Sequence, residues 1–348
     1  MSRAGAARRL ATAAAVGGGG LGLFGGSLYG LLIAQAKFAR RKIGNVKDKA
    51  PDPDGVYGVG MPGPPLRLAV LGDSAAAGYG ARTPDETFGA VLATGLADQA
   101  QRPVHLTCLA ANGAQTSALE GQIRRALEYE PEVCAVIIGA NDVTHKVRPS
   151  DSLRYLKSAV AALRAAGSEV VVGTCPDLGT VRPIPPPLRQ VARTWSRRLA
   201  AAQAIAVIES GGRAVSLATI LGAEFAAESS DLFGPDQFHP SPAGYRACAS
   251  AMLPSVAAAA GIGADVGYEP ARGEGVLSLA RAAALAADST GTEVTQAEQV
   301  AGSRGPRGRL ALLRHRRRTA IPAPGKVETE LGPIDAGRSD DLPELPSR

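Results

Sequence analysis

Asp236 and His239 stand three residues apart in the stretch DLFGPDQFHP over 231–240. At that spacing a carboxylate and an imidazole can face each other within one turn of chain. A carboxylate on one ring nitrogen fixes the tautomer and supports the imidazolium formed when the other nitrogen takes a proton. A hydroxyl that could give up that proton is Ser74, in GDSAAAG over 72–78. Ser74 sits where an apolar run ends and a helix is expected to begin. A helix N-terminus offers free N–H groups and a positive dipole end, both suited to an oxyanion. Taken alone, Asp73 and Ser74 would pass for ordinary N-capping residues. Gly113, in AANGAQT over 110–116, has no Cβ, so its N–H can approach a bound acyl group closely. Asn141, in GAND over 139–142, offers an amide N–H to a developing oxyanion. Asp142 is read as turn chemistry and local backbone capping. Together these residues point to acyl transfer through a serine.

Such residues must be carried by rigid elements, and the chain supplies them. Five short apolar runs read as strands: Leu66–Leu71, Val104–Leu109, Val133–Ile138, Val170–Thr174 and Ala214–Leu217. Their continuous apolarity fits strands covered on both faces. Helix-like stretches follow at Phe88–Gln101, Ser117–Glu130, Ser152–Ala166, Leu188–Glu209 and Pro242–Ala260. Strands alternating with helices predict a parallel three-layer α/β domain over 66–263. In such sheets ligands bind beyond the carboxyl ends of the strands, which is where Ser74 falls.

The four blocks in this order resemble the GDSL/SGNH hydrolase family. The family's Ser, Gly, Asn and His match Ser74, Gly113, Asn141 and His239, and its acid matches Asp236. The spacing around Gly113 departs slightly from the family's common pattern. The resemblance covers about Leu66 to Ala260. It implies a flavodoxin-like fold with a five-stranded parallel sheet in the order 2-1-3-4-5. It also implies hydrolysis of acyl esters through an acyl-enzyme, with no metal and no cofactor. The oxyanion would be held by the N–H groups of Ser74 and Gly113 and by the Asn141 amide. Lipid or lysophospholipid esters are the expected substrates, with acyl thioesters and acetylated sugars as alternatives. A non-enzymatic flavodoxin-like binding module or membrane scaffold is the competing reading, but it gives no reason for Asp236 and His239. An α/β-hydrolase of the other kind is disfavoured, because no Gly-x-Ser-x-Gly elbow occurs.

The remaining histidines are read as structural or peripheral. His105 begins a strand, His145 follows the Asn141 block beside Lys146, and His315 lies in an Arg-rich tail. Pro183–Pro187 reads as a rigid connection or a rim of the cleft.

The flanks carry their own signals. Residues 1–9 are basic, and Leu10–Ala36 hold no charged side chain over 27 residues. A membrane span needs about 20. The expectation is a single transmembrane signal anchor, followed by a basic stretch and a Pro/Gly linker over 37–65. The positive-inside rule then leaves the catalytic domain facing the cytoplasm. Ala34-Gln35-Ala36 also fits a signal-peptide cleavage site, which would make the protein secreted. Basic flanks beside an apolar span favour anionic lipid headgroups over nucleic acid as a partner. The four cysteines read as buried free thiols. Residues 264–300 hold one more helix, through Val276–Ala287. Residues 301–348, Arg-rich then acidic, read as disordered.

Overall fold

Aliphatic runs make the strands, and small-residue turns join them to helices on either face. The computed structural model describes residues 27–44, 49–217, 232–263, 276–288, 290–296, 310–315 and 321. The strands are β1 Gly55–Tyr57, β2 Leu66–Gly72, β3 Val104–Cys108, β4 Val133–Ile137, β5 Glu169–Gly173, β6 Arg213–Val215, β7 Val276–Ser278, β8 Thr292–Gln296 and β9 Leu310–His315. The helices are α1 over 27–43, α2 Ser74–Ala77, α3 Phe88–Ala100, α4 Leu119–Ala126, α5 Ala140–Thr144, α6 Pro149–Ala165, α7 Leu188–Glu209, α8 Pro242–Ala259 and α9 Leu279–Ala286.

β3, β2, β4, β5 and β6 lie side by side in that order, all parallel. Alternate residues serve opposite faces, as strand geometry requires. Leu68 and Val70 of β2 pack with Phe88 and Leu92 of α3 and with Met252 of α8. Ala69 and Leu71 pack on the other side with Ile123, Leu156 and Val207. Each fully buried Leu or Phe contributes about 1.5–3 kcal/mol. This double cover explains why all five residues of β4 are apolar and buried.

The sheet is larger than the five parallel strands expected: it is a mixed sheet of nine. Residues 55–57, read as linker, pair antiparallel with β3 at one edge. Asp54 secures them by accepting the Cys108 N–H at 2.6 Å. At the other edge β8, β9 and β7 add antiparallel strands beyond β6. Val276–Ala287, expected to be one helix, divides into β7 and α9. Leu310–His315, read as part of a disordered tail, forms β9, and its Ala311 and Leu313 are buried in the same cluster as α9. Except for residue 321, the rest of that tail lies outside the described residues. Glu293 of β8 is fully buried between Arg213 Nη1 (2.9 Å) and Ser255 Oγ (2.7 Å). The cysteines are free thiols, with Cys134, Cys175 and Cys248 buried and Cys108 half-buried.

The expected membrane anchor needs correction. Among the described residues no helix is long and apolar enough to cross a membrane. Residues 1–26 lie outside the described residues. The described part of the segment, α1, runs without a break through Lys37, Arg40, Arg41 and Lys42. It is also docked on the domain: Gln35 Nε2 donates to the Pro186 carbonyl at 2.8 Å, and Ala39 is buried. Among the described residues, then, this helix does not supply the expected span. The inferred membrane anchoring and cytoplasmic orientation fall with it.

Removing Glu293 would strand a guanidinium at the β6–β8 junction. Glu293→Ala should lower the free energy of unfolding in urea by about 3–5 kcal/mol, the usual cost of breaking a buried ion pair from one side. An unchanged midpoint and slope would mean that the outer strands add nothing to the fold.

Candidate active site

The turn after β2 sets out Ser74. Asp73 caps α2, its carboxylate accepting the Ala75 N–H at 3.0 Å, and Ser74 is the first helical residue. Gly78 closes this single turn in the left-handed conformation. Ser74 is buried, with only 7% of its surface exposed.

The loop before α8 brings His239 to it. Ser241 caps α8 through the Gly244 N–H at 3.2 Å, and Pro242 pre-sets the first helical φ. Just upstream, Gly234 N–H donates to the His239 carbonyl and Ser241 N–H to the Leu232 carbonyl, at 2.8 and 2.9 Å. The loop is thereby closed on itself. His239 Nε2 lies 3.1 Å from Ser74 Oγ, and its Nδ1 lies 2.6 Å from Asp236 Oδ2. The other carboxylate oxygen accepts the N–H groups of Phe238 and His239, both at 3.0 Å. One oxygen of Asp236 therefore fixes its own loop while the other fixes the ring. Tyr79 and Phe238 meet the imidazole edge-on, with centroids 4.5 and 4.8 Å away. Gln237, between Asp236 and His239, has a left-handed backbone at φ 55. That conformation costs on the order of 1–2 kcal/mol for a residue with a Cβ.

Burial opposes ionisation of Asp236, but the hydrogen bonds from His239 and from the two backbone N–H groups outweigh it. Its carboxyl is held below the usual carboxylate value. Asp73 behaves oppositely. Burial pushes it up to about 7, with the nearby Asp142 adding to the rise and N–H bonds from Ala75 and Gly139 opposing it. Asp142 is raised as well, by burial, against its bonds from Thr116.

Asn141 lies in α5, and its Nδ2 donates to the Ala114 carbonyl at 3.1 Å. A carboxamide carries two N–H donors, so this bond orients the amide and leaves a second donor. Gly113 is next to Ala114, exposed, at φ 73. A Cβ built there meets nothing within 4 Å. The left-handed backbone, rather than crowding, is what favours glycine. Asp142 ties the two blocks together, accepting from Thr116 Oγ1 at 2.8 Å and from the Thr116 N–H. Ala111 N–H donates to the Gly72 carbonyl at 3.1 Å, joining the same loop to the serine strand. His145 stands apart from Ser74 in role: its Nδ1 meets the Asn141 carbonyl at 2.9 Å.

Two glutamines complete the site. Buried Gln122 accepts the Gly72 N–H at 2.7 Å and donates to the Gly72 carbonyl at 2.8 Å. Gln203 does the same across strands, accepting from Cys175 N–H (2.7 Å) and donating to the Ile138 carbonyl (3.0 Å). Sequence reasoning missed both. The available signal was their place on helix faces otherwise filled by Leu, Ile, Ala and Val.

Residues 70–247 match the family model of the GDSL-like lipase/acylhydrolase family. A GDSL-like esterase of Mycobacterium tuberculosis is 38% identical over 256 residues, spanning 70% of this chain and 81% of that one. The chain belongs to the GDSL-like lipase/acylhydrolase family and is a carboxylic ester hydrolase of the SGNH type. Among solved structures it is similar to TesA, at 20% identity and a TM-score of 0.44, over 56% of this chain and 99% of that one. It is also similar to Axe2, an acetylxylan esterase from Geobacillus stearothermophilus, at 17% identity and a TM-score of 0.43, over 56% and 96%.

The Asp73 shift has a defined sign. The folded state keeps its proton up to about pH 7, whereas the unfolded chain releases it near 3.8. Stability from this group is thus full at low pH and lost as pH rises toward 7. Asparagine caps a helix as well as aspartate does but does not ionise. Asp73→Asn should gain thermal stability over the parent at pH 8 relative to the same comparison at pH 5. A difference in melting temperature that is equal at both would contradict the burial argument.

Proposed function

We propose that Ser74 is the nucleophile of a two-step ester hydrolysis, with His239 as general base and acid and Asp236 as its orienting carboxylate. The observation that carries this is the unbroken hydrogen-bonded line from Asp236 Oδ2 through the imidazole to Ser74 Oγ, at 2.6 and 3.1 Å. His239 takes the hydroxyl proton as Ser74 attacks the ester carbonyl. The oxyanion is stabilised by the Ser74 and Gly113 N–H groups and by the Asn141 amide. His239 then protonates the leaving alcohol. Water, deprotonated by the same ring, cleaves the acyl-enzyme and releases the acid. We assign the catalytic domain to residues 66–263.

For the substrate we favour compact, polar esters. The lipid reading leaned on a membrane segment that no longer supports it. A cleft of about 490 Å³ adjoins the histidine loop, lined by Phe233, Pro235 and Gln237 and by Arg82 and Arg182, with Arg82 paired to Glu86 at 3.0 Å. Its limited volume and mixed apolar and polar lining suit a short acyl group on a polar alcohol better than a long chain. Acetylated sugars fit this description, and acyl thioesters use the same machinery.

Hydrolysis of p-nitrophenyl acetate, butyrate and palmitate tests both levels. Ser74→Ala should abolish turnover. Asn141→Ala should lower kcat by about 10²–10³, equivalent to ~2.7–4 kcal/mol for one oxyanion donor, with the fold intact. Rates should fall from acetate to palmitate. Full activity in folded Ser74→Ala would overturn the mechanism, and a preference for palmitate would overturn the substrate class alone.

A further inference from the structure

The N-terminal helix α1 does more than rest on the domain. Its side chains end where the catalytic segments begin. Arg40 Nη2 donates to the Thr144 carbonyl at 3.0 Å, at the C-terminal end of α5, which carries Asn141. α5 has five residues, far too few to persist without outside support. A guanidinium at its carbonyl end satisfies an orphan acceptor and complements the negative end of the dipole. Gln35 performs the matching task at α7. Its Oε1 accepts the Leu188 N–H at 3.1 Å while its Nε2 holds the Pro186 carbonyl. Pro187, at the N-cap of α7, has no side chain able to do this. Between these two, buried Ala39 enters a small apolar cluster with Leu178, Val181 and Ile184. Ala140 and Val143 of α5 and Phe238 of the histidine loop pack against the same cluster. Phe238 in turn touches the His239 ring. One helix thus braces the asparagine segment and, through shared packing, the loop of the base.

We infer that α1 belongs to the active-site scaffold and that Arg40 is a positioning residue, holding the Asn141 amide in place for the oxyanion by capping α5. The inference rests on the role proposed above for Asn141. No element of the charge-relay line touches Arg40, so its removal leaves the nucleophile and base in place. What changes is the precision with which the amide is held, and a misplacement of about 1 Å at such a site can cost as much as about 100-fold.

The test is a double-mutant cycle in the full chain, reading kcat and KM for p-nitrophenyl acetate beside thermal melts. Arg40→Met keeps the aliphatic stem but removes the donor. It should lower kcat by about tenfold or more, with KM changed by less than about twofold. In the Asn141→Ala background the same change should lower kcat no further, because the group it positions is gone. Arg40→Lys, which keeps a cationic donor, should recover part of the rate and serves in the cycle if Arg40→Met does not fold. Wild-type kcat in a folded Arg40→Met would overturn the inference. So would an equal loss in both backgrounds, which marks a general structural effect. If Asn141→Ala itself retained full kcat, the oxyanion reading would fail first, and that outcome is visible in the same data.

Discussion

Gly72 lies so near β4 that a Cβ on it would stand 1.9 Å from the Ile137 carbonyl oxygen. The next residue, Asp73, donates its N–H to that same carbonyl at 3.0 Å. This contact between two strand ends is the constraint on which the site depends. It holds the end of β2 hard against β4, so the helix that starts at Ser74 has one position. Gln122 then closes both backbone groups of Gly72 from below. A buried, unpaired amide would cost about 1–3 kcal/mol, so the clasp is favoured as well as specific. The distances from Ser74 to His239 inherit their definition from this junction. The loop that carries the histidine adds its own closure through Gly234 and Ser241.

Three carboxylates belong to the segments around Ser74, and their surroundings divide their roles. Asp236 accepts three hydrogen bonds and stays ionised, which suits a group that steadies an imidazolium. Asp73 and Asp142 are buried, and their carboxyls are pushed up. They serve as acceptors for backbone and hydroxyl donors, one capping the serine helix, the other lashing the Gly113 loop to α5. The Asp236 carboxylate lies on the far side of the imidazole from the serine oxygen, where it can support an imidazolium.

The proposed site residues were legible because each sits at a strand end or a helix start, where apolar runs give way to small and polar residues. Ser74, Asn141 and the Asp236–His239 pair all announced themselves in that way. The five parallel strands were legible for the same reason, since double burial leaves continuous Val, Ile and Leu. The outer strands were not. β8 reads TEVTQ and β1 is three residues long, so neither carries a period of its own. They exist through pairing and through single contacts such as Glu293 with Arg213. Leu310–Leu313 were masked by the arginines around them. The N-terminal run misled because hydropathy averages along the chain. Docking depends instead on Gln35, Ala39 and Arg40, whose partners lie more than a hundred residues away. Gly113 was singled out for its missing Cβ, and the structure adds a left-handed backbone at φ 73 that also favours glycine.

The central claim is that Ser74 owes its nucleophilicity to His239 held by Asp236. Labelling with a fluorophosphonate, followed by mass spectrometry of the modified peptide, tests it most directly. Wild-type protein should be labelled at Ser74, and His239→Ala should react slower by orders of magnitude while remaining folded. Labelling of a different serine, or equal labelling of Ser74 with and without His239, would contradict it.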